Sequence, residues 1–356
     1  MSDHLDVSEP SLDHLARLSD GVGIFEHARG VEPRRALGYC TDDVARALFV
    51  VLSATDDEEG AVLERIYLDF VCDAQRSDGR FHNRRSWPAG AWLDDVGPDD
   101  TTGRSVRAVA AASLLASTPA ARNRARAAYD RAASFASPWP RSNASLVLGA
   151  VDLLRRDSAD PEARRQLESS VRRLGAAVPG EWPWPEPRLS YENALLPHAR
   201  IAAAATLEDD RMLDEGLRLL EWLVDVQTIG THFSFVPAAG RSPGEMPPAF
   251  DQQPIEAAAM ALACACAHEV TGSERWALRC ERAAEWFLGR NDSSVVVFDR
   301  LSGGCHDGLG PSGFNDNEGA ESTISMIAAF QATRRVHAAA RSAADRAPIS
   351  TVAAPT

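Results

Sequence analysis

The sequence of 356 residues contains no lysine, so all 37 of its basic side chains are arginines. This absence excludes Schiff-base chemistry, a lysine-anchored pyridoxal phosphate and the phosphate-binding lysine of P-loop proteins. The 51 acidic side chains outnumber the arginines and leave a formal net charge of −14. Because a protein that neutralises nucleic-acid phosphates needs a clustered basic excess, we expect no nucleic-acid partner.

Long apolar runs are also absent, and the acidic first ten residues do not resemble a secretion signal. We therefore expect no contact with a membrane and a cytoplasmic location. The six cysteines are few for this length and have no paired spacing, so we interpret them as reduced thiols. Hydrophobic residues make up 45% of the chain, which is enough for a large buried core.

Two kinds of helical segment alternate along the chain. Some are amphipathic, such as the segment in which Leu213, Leu217, Leu220 and Val224 recur at helical spacing among charged residues. Others are nearly uncharged, and a helix that is apolar on all sides must be surrounded by protein. The clearest examples of the second kind are 144–154, 199–205, 257–267 and 322–330.

Each of the six apolar helices follows a short polar sequence with a residue suited to cap a helix. Six amphipathic partners precede or follow them, and the unequal intervals between pairs disfavour an open solenoid. We therefore predict an all-α fold, an (α/α)6 toroid with alternating outer and inner helices. The predicted single domain covers residues 1–337, and we predict a disordered tail over 338–356, where no apolar stripe is present.

In such a toroid the inner helices run in the same direction, so their amino-terminal ends meet at one mouth. Eight acidic residues fall at these ends, which is more than helix capping needs. Like charges held together raise each other's pKa, as catalytic sites require. The candidate catalytic residues are Asp42, Asp43, Asp100, Glu192 and Glu256, and the other acids of the rim are Asp251, Glu318 and Glu321.

The loops that lead to the same mouth are rich in aromatic residues, including Trp87 and Trp139. Tryptophans in loops either fix the loops to the barrel or present an apolar face to a sugar ring. The second interpretation predicts a carbohydrate site with hydrogen-bonding groups around it. The candidate substrate-binding residues are Tyr39, Trp92, Arg104, Trp182, Trp184, Tyr191, Asn193, Gln252, Gln253, His306, Asp307, Glu318 and Glu321.

Several motifs together resemble a bacterial family of six-hairpin, glycosidase-like proteins, often labelled glycosyltransferase or glycosyl hydrolase. They are GYCTDDVARAL, DGRFHNRRSWPAGAWLDDVGPDDTTGRSVRA, WPWPEPRLSYENALLPHA, FDQQPIEAAAM and GCHDGLGPSGFNDNEGAEST, within about residues 38–324. The resemblance implies an (α/α)6 barrel and a carbohydrate substrate, and it raises a glycosyltransferase as a partner. The chain departs from the family where Asp99 replaces an expected glutamate.

Glycoside cleavage needs one protonated carboxyl group and one ionised carboxylate. Asp42 or Asp43 is the first candidate of this pair, with Asp100, Glu192 or Glu256 as its partner. We predict a glycoside hydrolase acting on an oligosaccharide or glycoside, and favour inversion because an open mouth has room for water. This chemistry requires neither a cofactor nor a metal.

Three alternative enzymes remain open from the sequence. Cys305 and His306, with Cys40 or Cys264, resemble the zinc ligands of lanthionine cyclases. His198 and His306 are candidates for the acid and base of a sugar 2-epimerase. A phosphorylase would place phosphate on one of three arginines, which are Arg84, Arg85 and Arg188.

A fourth alternative has no chemistry at all. The same aromatic mouth suits a glycan-binding partner of a glycosyltransferase, which would bind sugar without turnover. We favour an enzyme, because binding alone gives no reason to concentrate so many carboxylates in one place.

Overall fold

The computed structural model describes residues 10–54 and 58–346, and twelve α-helices account for most of them. Six helices form an inner ring, and six helices lie outside it. The inner helices are α2 (Thr41–Val51), α4 (Asp99–Leu115), α6 (Pro140–Arg156), α8 (Leu195–Leu207), α10 (Pro254–Thr271) and α12 (Ala320–Arg346). The outer helices are α1 (Asp13–Arg17), α3 (Glu58–Ala74), α5 (Pro119–Ala132), α7 (Pro161–Val171), α9 (Asp210–Val226) and α11 (Glu274–Glu285).

The inner ring is closed. Each inner helix packs against the next one along the chain, and α12 returns to pack against α2. Every outer helix from α3 to α11 packs on the inner helix before it, whereas α1 packs on α12 and so completes the last hairpin. The predicted (α/α)6 toroid is confirmed, because closure is what buries helices with apolar residues on every side.

The two ends of the ring differ in their connections. At one end, short links such as Glu208–Asp209 join an inner helix to the outer helix that follows. At the other end, long segments such as 172–194, 227–253 and 286–319 lead into the inner helices. Four antiparallel pairs of two-residue strands brace these segments. They are β1 (Ala28–Arg29) with β2 (Glu32–Pro33), β3 (Tyr39–Cys40) with β4 (Arg84–Arg85), β5 (Thr228–Ile229) with β6 (His232–Phe233), and β7 (Leu309–Gly310) with β8 (Gly313–Phe314).

The last helix extends past the predicted end of the domain. Helix α12 continues to Arg346, nine residues beyond the predicted end at 337. The rest of the predicted disordered tail, 347–356, lies outside the described residues, so that part of the prediction is untested. All six cysteines are free thiols, and five of them are buried. None of the helices in the described part of the chain has the length and hydropathy needed to span a membrane.

Candidate active site

A cavity of about 420 Å³ opens at the end of the ring where the inner helices begin. The first turns of α2, α4 and α12 line it, together with the long loops. This cavity is lined by five acidic residues that the sequence predicts to be catalytic, substrate-binding or part of the rim. They are Asp42, Asp43, Asp100, Asp307 and Glu321. The mouth predicted from the polar helix starts therefore exists, although only some of the predicted residues reach it.

Arg46, one turn into α2, gathers three of the acids with a single nitrogen. Its Nη2 lies 2.8 Å from Asp43 Oδ1, 2.8 Å from Glu321 Oε2 and 2.9 Å from Asp42 Oδ2. Two of these acids belong to α2, whereas Glu321 is in the first turn of α12. The guanidinium group thus bridges the first and last inner helices at the closure of the ring.

Arg104 on α4 performs a similar role towards the centre of the barrel. Its Nη1 donates to both carboxylate oxygens of Asp42, at 2.8 and 2.7 Å, and its Nη2 donates to Glu192 Oε2 at 2.6 Å. Glu192 has a left-handed backbone with φ of 47°. This conformation costs a non-glycine residue roughly 1–2 kcal/mol, and the contact with the buried guanidinium offsets that cost.

The adjacent carboxyl groups of Asp42 and Asp43 differ in pKa. Burial raises the pKa of Asp43 to about 7, and the neighbouring charges of Glu321 and Asp42 add to this effect against the opposing charge of Arg46. Burial also acts on Asp42, but Arg104 and Arg46 outweigh it and lower the pKa of that group. Two neighbouring acids of one helix turn therefore hold different protonation states near neutral pH.

Asp43 keeps one oxygen free for chemistry. Its side chain is almost completely buried, and Arg46 binds only Oδ1. No described residue donates a hydrogen bond to Oδ2, while the residue lines the cavity. The protonated form of Asp43 can therefore present its proton to a molecule in the cavity.

Asp100 lies in the same cavity but is held by neutral groups. Ser142 donates to Oδ1 from α6, and the hydroxyl of Tyr191 donates to Oδ2. The Tyr191 ring is stacked under the guanidinium of Arg141, with 4.7 Å between the guanidinium carbon and the ring centroid. No arginine forms an ion pair with Asp100 within the described residues, so its carboxylate is fixed in position without being neutralised by a direct cationic partner.

Two predicted catalytic glutamates lie outside the cavity. Glu192 lines a narrow space of about 70 Å³ further down the barrel axis. Glu256 is buried behind Asn193, whose side-chain amide donates to it at 2.9 Å, and burial raises its pKa to about 7. Asn193 also accepts from Arg141, so this group forms an internal network that supports the start of α8. Asn193, a predicted sugar-binding residue, is buried and lies outside the cavity lining.

The closing loop contributes one acid to the cavity and leaves its neighbours behind it. Asp307 lines the cavity and accepts from the backbone of Gly319 and from Ser322, while burial raises its pKa. Glu318 is buried and accepts from Ser302 at 2.5 Å. The ring of His306 stacks on Phe314 with 3.8 Å between centroids. Neither Glu318 nor His306 lines the cavity.

Several predicted sugar-binding residues are part of the protein interior. Tyr39 is buried against Phe25 and donates to Asp20. Gln252 is fully buried and bonded to Asp292 and Trp286, whereas its neighbour Gln253 does line the cavity. Tyr39 and Gln252 are buried for the same reason. Contacts between the loops and the barrel cover their polar groups, which form hydrogen bonds with other protein groups.

The tryptophans of the segment before α8 fix that segment to an outer helix. Trp182 and Trp184 both pack on Trp222 of α9, with ring centroids 5.1 and 6.0 Å apart respectively. Their indole nitrogens donate to Glu186. Trp92 stacks on His82 and lies beneath Arg85, also away from the cavity lining. The loop-fixing interpretation of these tryptophans therefore describes the structure better than sugar stacking.

A tryptophan substitution separates these two interpretations. We expect Trp184→Ala to lower the free energy of unfolding by about 3–5 kcal/mol, because its side chain is only 1% exposed. The KM measured with correctly folded protein should not change. The control is Trp139→Ala, whose side chain is 65% exposed and whose loss should cost within about 0.5 kcal/mol. Urea unfolding measures both, and a stable Trp184→Ala variant with a raised KM would contradict the structural role.

Sequence reasoning did not select Glu26, His27 and Asn83, which line the cavity and come from loops without a helix start. Ser142, which holds Asp100 from α6, was noted only as part of a polar start. Asn83 fixes the entry to α2, because its side-chain oxygen accepts from the backbone of Asp42. Only the polar character of the segment around Ser142 offered a signal in advance.

A metal site was tested on the arrangement of possible ligands. Within residues 10–54 and 58–346, one group of three His, Cys, Asp or Glu side chains is close enough to share a metal ion. It consists of Glu26, Cys40 and Asp43, whose ligand atoms lie within 4.8 Å of one another. Cys305 and His306 belong to no such set in this part of the chain. The arrangement therefore does not support the zinc site of a lanthionine cyclase.

No family model matches the chain, and no curated protein is significantly similar in sequence. Solved structures are similar in fold. A sugar epimerase from a ruminal bacterium has 12% identity and a TM-score of 0.70, with 94% of this chain and 96% of that chain covered. The cellobiose 2-epimerase of Spirochaeta thermophila has 14% identity and a TM-score of 0.67, with coverages of 92% and 93%. A GH76 α-mannanase of Bacteroides thetaiotaomicron has 12% identity and a TM-score of 0.63, with coverages of 93% and 95%. These similarities show the fold, an (α/α)6 toroid.

Proposed function

We propose that this protein is a carbohydrate-active enzyme that hydrolyses glycosidic bonds in the cavity at the mouth of the toroid. Asp43 donates the proton to the leaving oxygen, and Asp100 accepts a proton from the water molecule that attacks the anomeric carbon. The observation that carries the proposal is the raised pKa of Asp43, to about 7, in a cavity that also contains a second carboxylate without a cationic partner.

The other acids are less suited to the reaction because arginines occupy their oxygens. Asp42 is bound at both oxygens by Arg104. Glu321 shares the Arg46 nitrogen with Asp43, so a guanidinium group lies between these two carboxyl groups. Asp43 and Glu321 therefore cannot act on opposite sides of a glycosidic bond, because Arg46 occupies the space between them. Among the described residues, no arginine is bound by both Asp43 and Asp100.

The placement of the two acids favours inversion. They lie in the first turns of α2 and α4, which are adjacent inner helices. Packed helices have axes roughly 8–10 Å apart, and inverting enzymes separate their carboxyl groups by about 6.5–9.5 Å to admit a water molecule. We expect the first product observed by proton NMR to have the opposite anomeric configuration from the substrate. Initial formation of the same anomer would show retention and would reject Asp100 as a water-activating base.

The first experiment is a substrate screen. Oligosaccharides and glycosyl phosphates are incubated with the wild type and with Asp43→Asn, each with and without inorganic phosphate. We expect sugar release by the wild type without phosphate and its loss in the variant. Release that requires phosphate would indicate a phosphorylase, and glycan binding without turnover would support the predicted binding partner of a glycosyltransferase.

A sugar 2-epimerase is the second candidate, since structures of similar fold include a sugar epimerase and a cellobiose 2-epimerase. The pair of histidines expected for it is not assembled. His198 lines a cavity at the opposite end of the barrel, and His306 lies in the closing loop. An epimerase exchanges a substrate carbon-bound hydrogen with solvent, so deuterium incorporation in heavy water without release of a sugar would favour it over hydrolysis.

A further inference from the structure

A second cavity, of about 890 Å³, opens at the opposite end of the ring. The carboxyl-terminal halves of the inner helices line it, at the end where the connections are short. Its walls are largely apolar and include Leu114, Leu148, Val151, Leu262 and Val336. A concave, mostly apolar cavity with few polar groups is the usual form of a small-molecule site.

Arg107 lies at the floor of this cavity. Together with Phe49 and Leu262 it also lines the narrow space in the middle of the barrel, so it marks the deepest point. Its guanidinium carbon lies 4.5 Å from the ring centroid of Phe49. The Nε atom is buried without a hydrogen-bond partner, and no described residue pairs with the guanidinium group. A guanidinium nitrogen buried without a hydrogen bond is costly to the folded state.

Two further basic side chains face the same space without partners. His198 is only 8% exposed, and its ring forms no hydrogen bond with any described residue. Burial and the charges of Arg107, Arg155 and Arg335 lower its pKa well below the usual value, so the ring is neutral. Arg335, on α12, has no ion pair among residues 10–54 and 58–346, but it is exposed to solvent at the rim of the cavity.

No acid of the cavity forms an ion pair or a hydrogen bond with Arg107 in the described part of the chain. Glu269 is paired with Arg155, with 3.4 Å between the charged atoms. Asp152 faces the cavity without an ion pair in the described structure, and burial raises its pKa. Glu274 is exposed in the first turn of α11 and therefore lies at the solvent edge. The inner charged groups without an ion pair are thus Arg107 and Asp152, whose charges act on each other.

We propose that this cavity binds an organic carboxylate with an apolar body, whose carboxylate pairs with Arg107 at the floor. The planar guanidinium group matches a carboxylate with two parallel hydrogen bonds. The apolar body of the ligand then contacts the leucine and valine walls. This site is separate from the acid-lined mouth and does not depend on the glycosidase proposal.

The test is direct binding of sodium octanoate to the full chain by isothermal titration calorimetry. Octanol and octylammonium, with the same chain length, are the uncharged and cationic comparisons. We expect saturable binding of octanoate alone, with affinity reduced about tenfold or more in Arg107→Met, because a hydrogen-bonded charge pair is lost. Arg156→Met, an exposed arginine outside the cavity lining, is the matched control and should bind as the wild type does.

A substitution of Asp152 tests whether octanoate affinity changes in the direction expected for a bound anion. Asp152→Asn removes a negative charge beside the ligand, so octanoate should bind more tightly than to the wild type. A merely structural Arg107 would predict a less stable Arg107→Met variant and no octanoate binding by the wild type. If Arg107→Met fails to fold, Arg107→Gln and Asp152→Asn supply the comparison. Absence of saturable octanoate binding at millimolar concentration, or weaker binding to Asp152→Asn, would overturn the proposal, whereas Asp43→Asn should leave binding unchanged.

Discussion

Replacement of Asp43 by asparagine is expected to lower kcat on an unactivated glycoside by about 10²- to 10⁴-fold, which is the usual contribution of a positioned general acid. Asparagine keeps the size of the side chain and the contact with Arg46 but has no proton to give at this pKa. The measurement is the initial rate of sugar release with substrate above KM. A variant within a factor of two of the wild type would contradict the assigned role.

The leaving group separates the roles of the two acids. An aryl glycoside with an acidic phenol leaves without protonation, so Asp43→Asn should recover most of its rate on that substrate. Asp100→Asn should remain slow on both substrates, because water activation is needed whatever the leaving group. Equal losses for both variants on both substrates would indicate that Asp43 acts through structure and not as the acid.

The pH dependence provides a second check on Asp43. Its pKa of about 7 means that the proton-donating form is lost as pH rises, so kcat should fall through about pH 7. The same shift destabilises the fold as pH rises between the ordinary value of 3.8 and about 7, because the folded state binds the extra proton. The Asp43→Asn variant lacks this loss of stability. If the variant and the wild type show the same pH dependence of unfolding, the raised pKa is wrong.

The second large effect is expected on stability. Arg46→Met should lower the free energy of unfolding at neutral pH by about 3–5 kcal/mol, the usual cost of removing one partner from a buried ion pair. The side chain of Arg46 is mostly buried and its Nη2 serves Asp42, Asp43 and Glu321 together. Without it, Asp42 keeps Arg104, but Asp43 and Glu321 lose the cation that they share.

The sign of the pH effect identifies this mechanism. Arg46 and Arg104 lower the pKa of Asp42 in the folded protein, so that ionised group stabilises the fold above its ordinary pKa and loses this contribution as pH falls. The deficit of Arg46→Met should therefore shrink in acid, where the carboxyl groups are protonated. Urea unfolding at acidic and neutral pH measures it.

A surface arginine provides the control for Arg46. Arg124 contacts Asp69 and Asp73 with 44% of its side chain exposed, and Arg124→Met should cost less than about 1 kcal/mol. A loss for Arg46→Met no greater than for this control would show that the network contributes little to stability.

The fold was largely predictable from the sequence. The alternation of amphipathic and apolar segments is a local pattern, and burying a helix that is apolar on every face requires a closed ring. The end of α12 was missed because the segment after 337 has no apolar stripe, yet the helix continues to Arg346. Helix continuation there depends on backbone hydrogen bonds and good helix-forming residues more than on an apolar face.

The candidate site was predictable only in outline. Polar helix starts predicted that acids meet at one mouth, and Asp43, Asp100 and Glu321 do line one cavity. The same pattern also selected Glu192 and Glu256, which lie below or behind it. The start of a helix determines the position of a side chain along the barrel axis. It does not determine whether that side chain points into the cavity, because this depends on the neighbouring residues.

By itself, the sequence determined the helices, their order in the ring and the end of the barrel at which acidic side chains collect. The tertiary structure alone decided which acid is neutral, which is paired and which faces open space. The physical reason is that pKa and accessibility depend on partners distant in the chain, as Arg46 is from Glu321 and Arg104 is from Glu192. Periodicity within a helix contains no information about such partners.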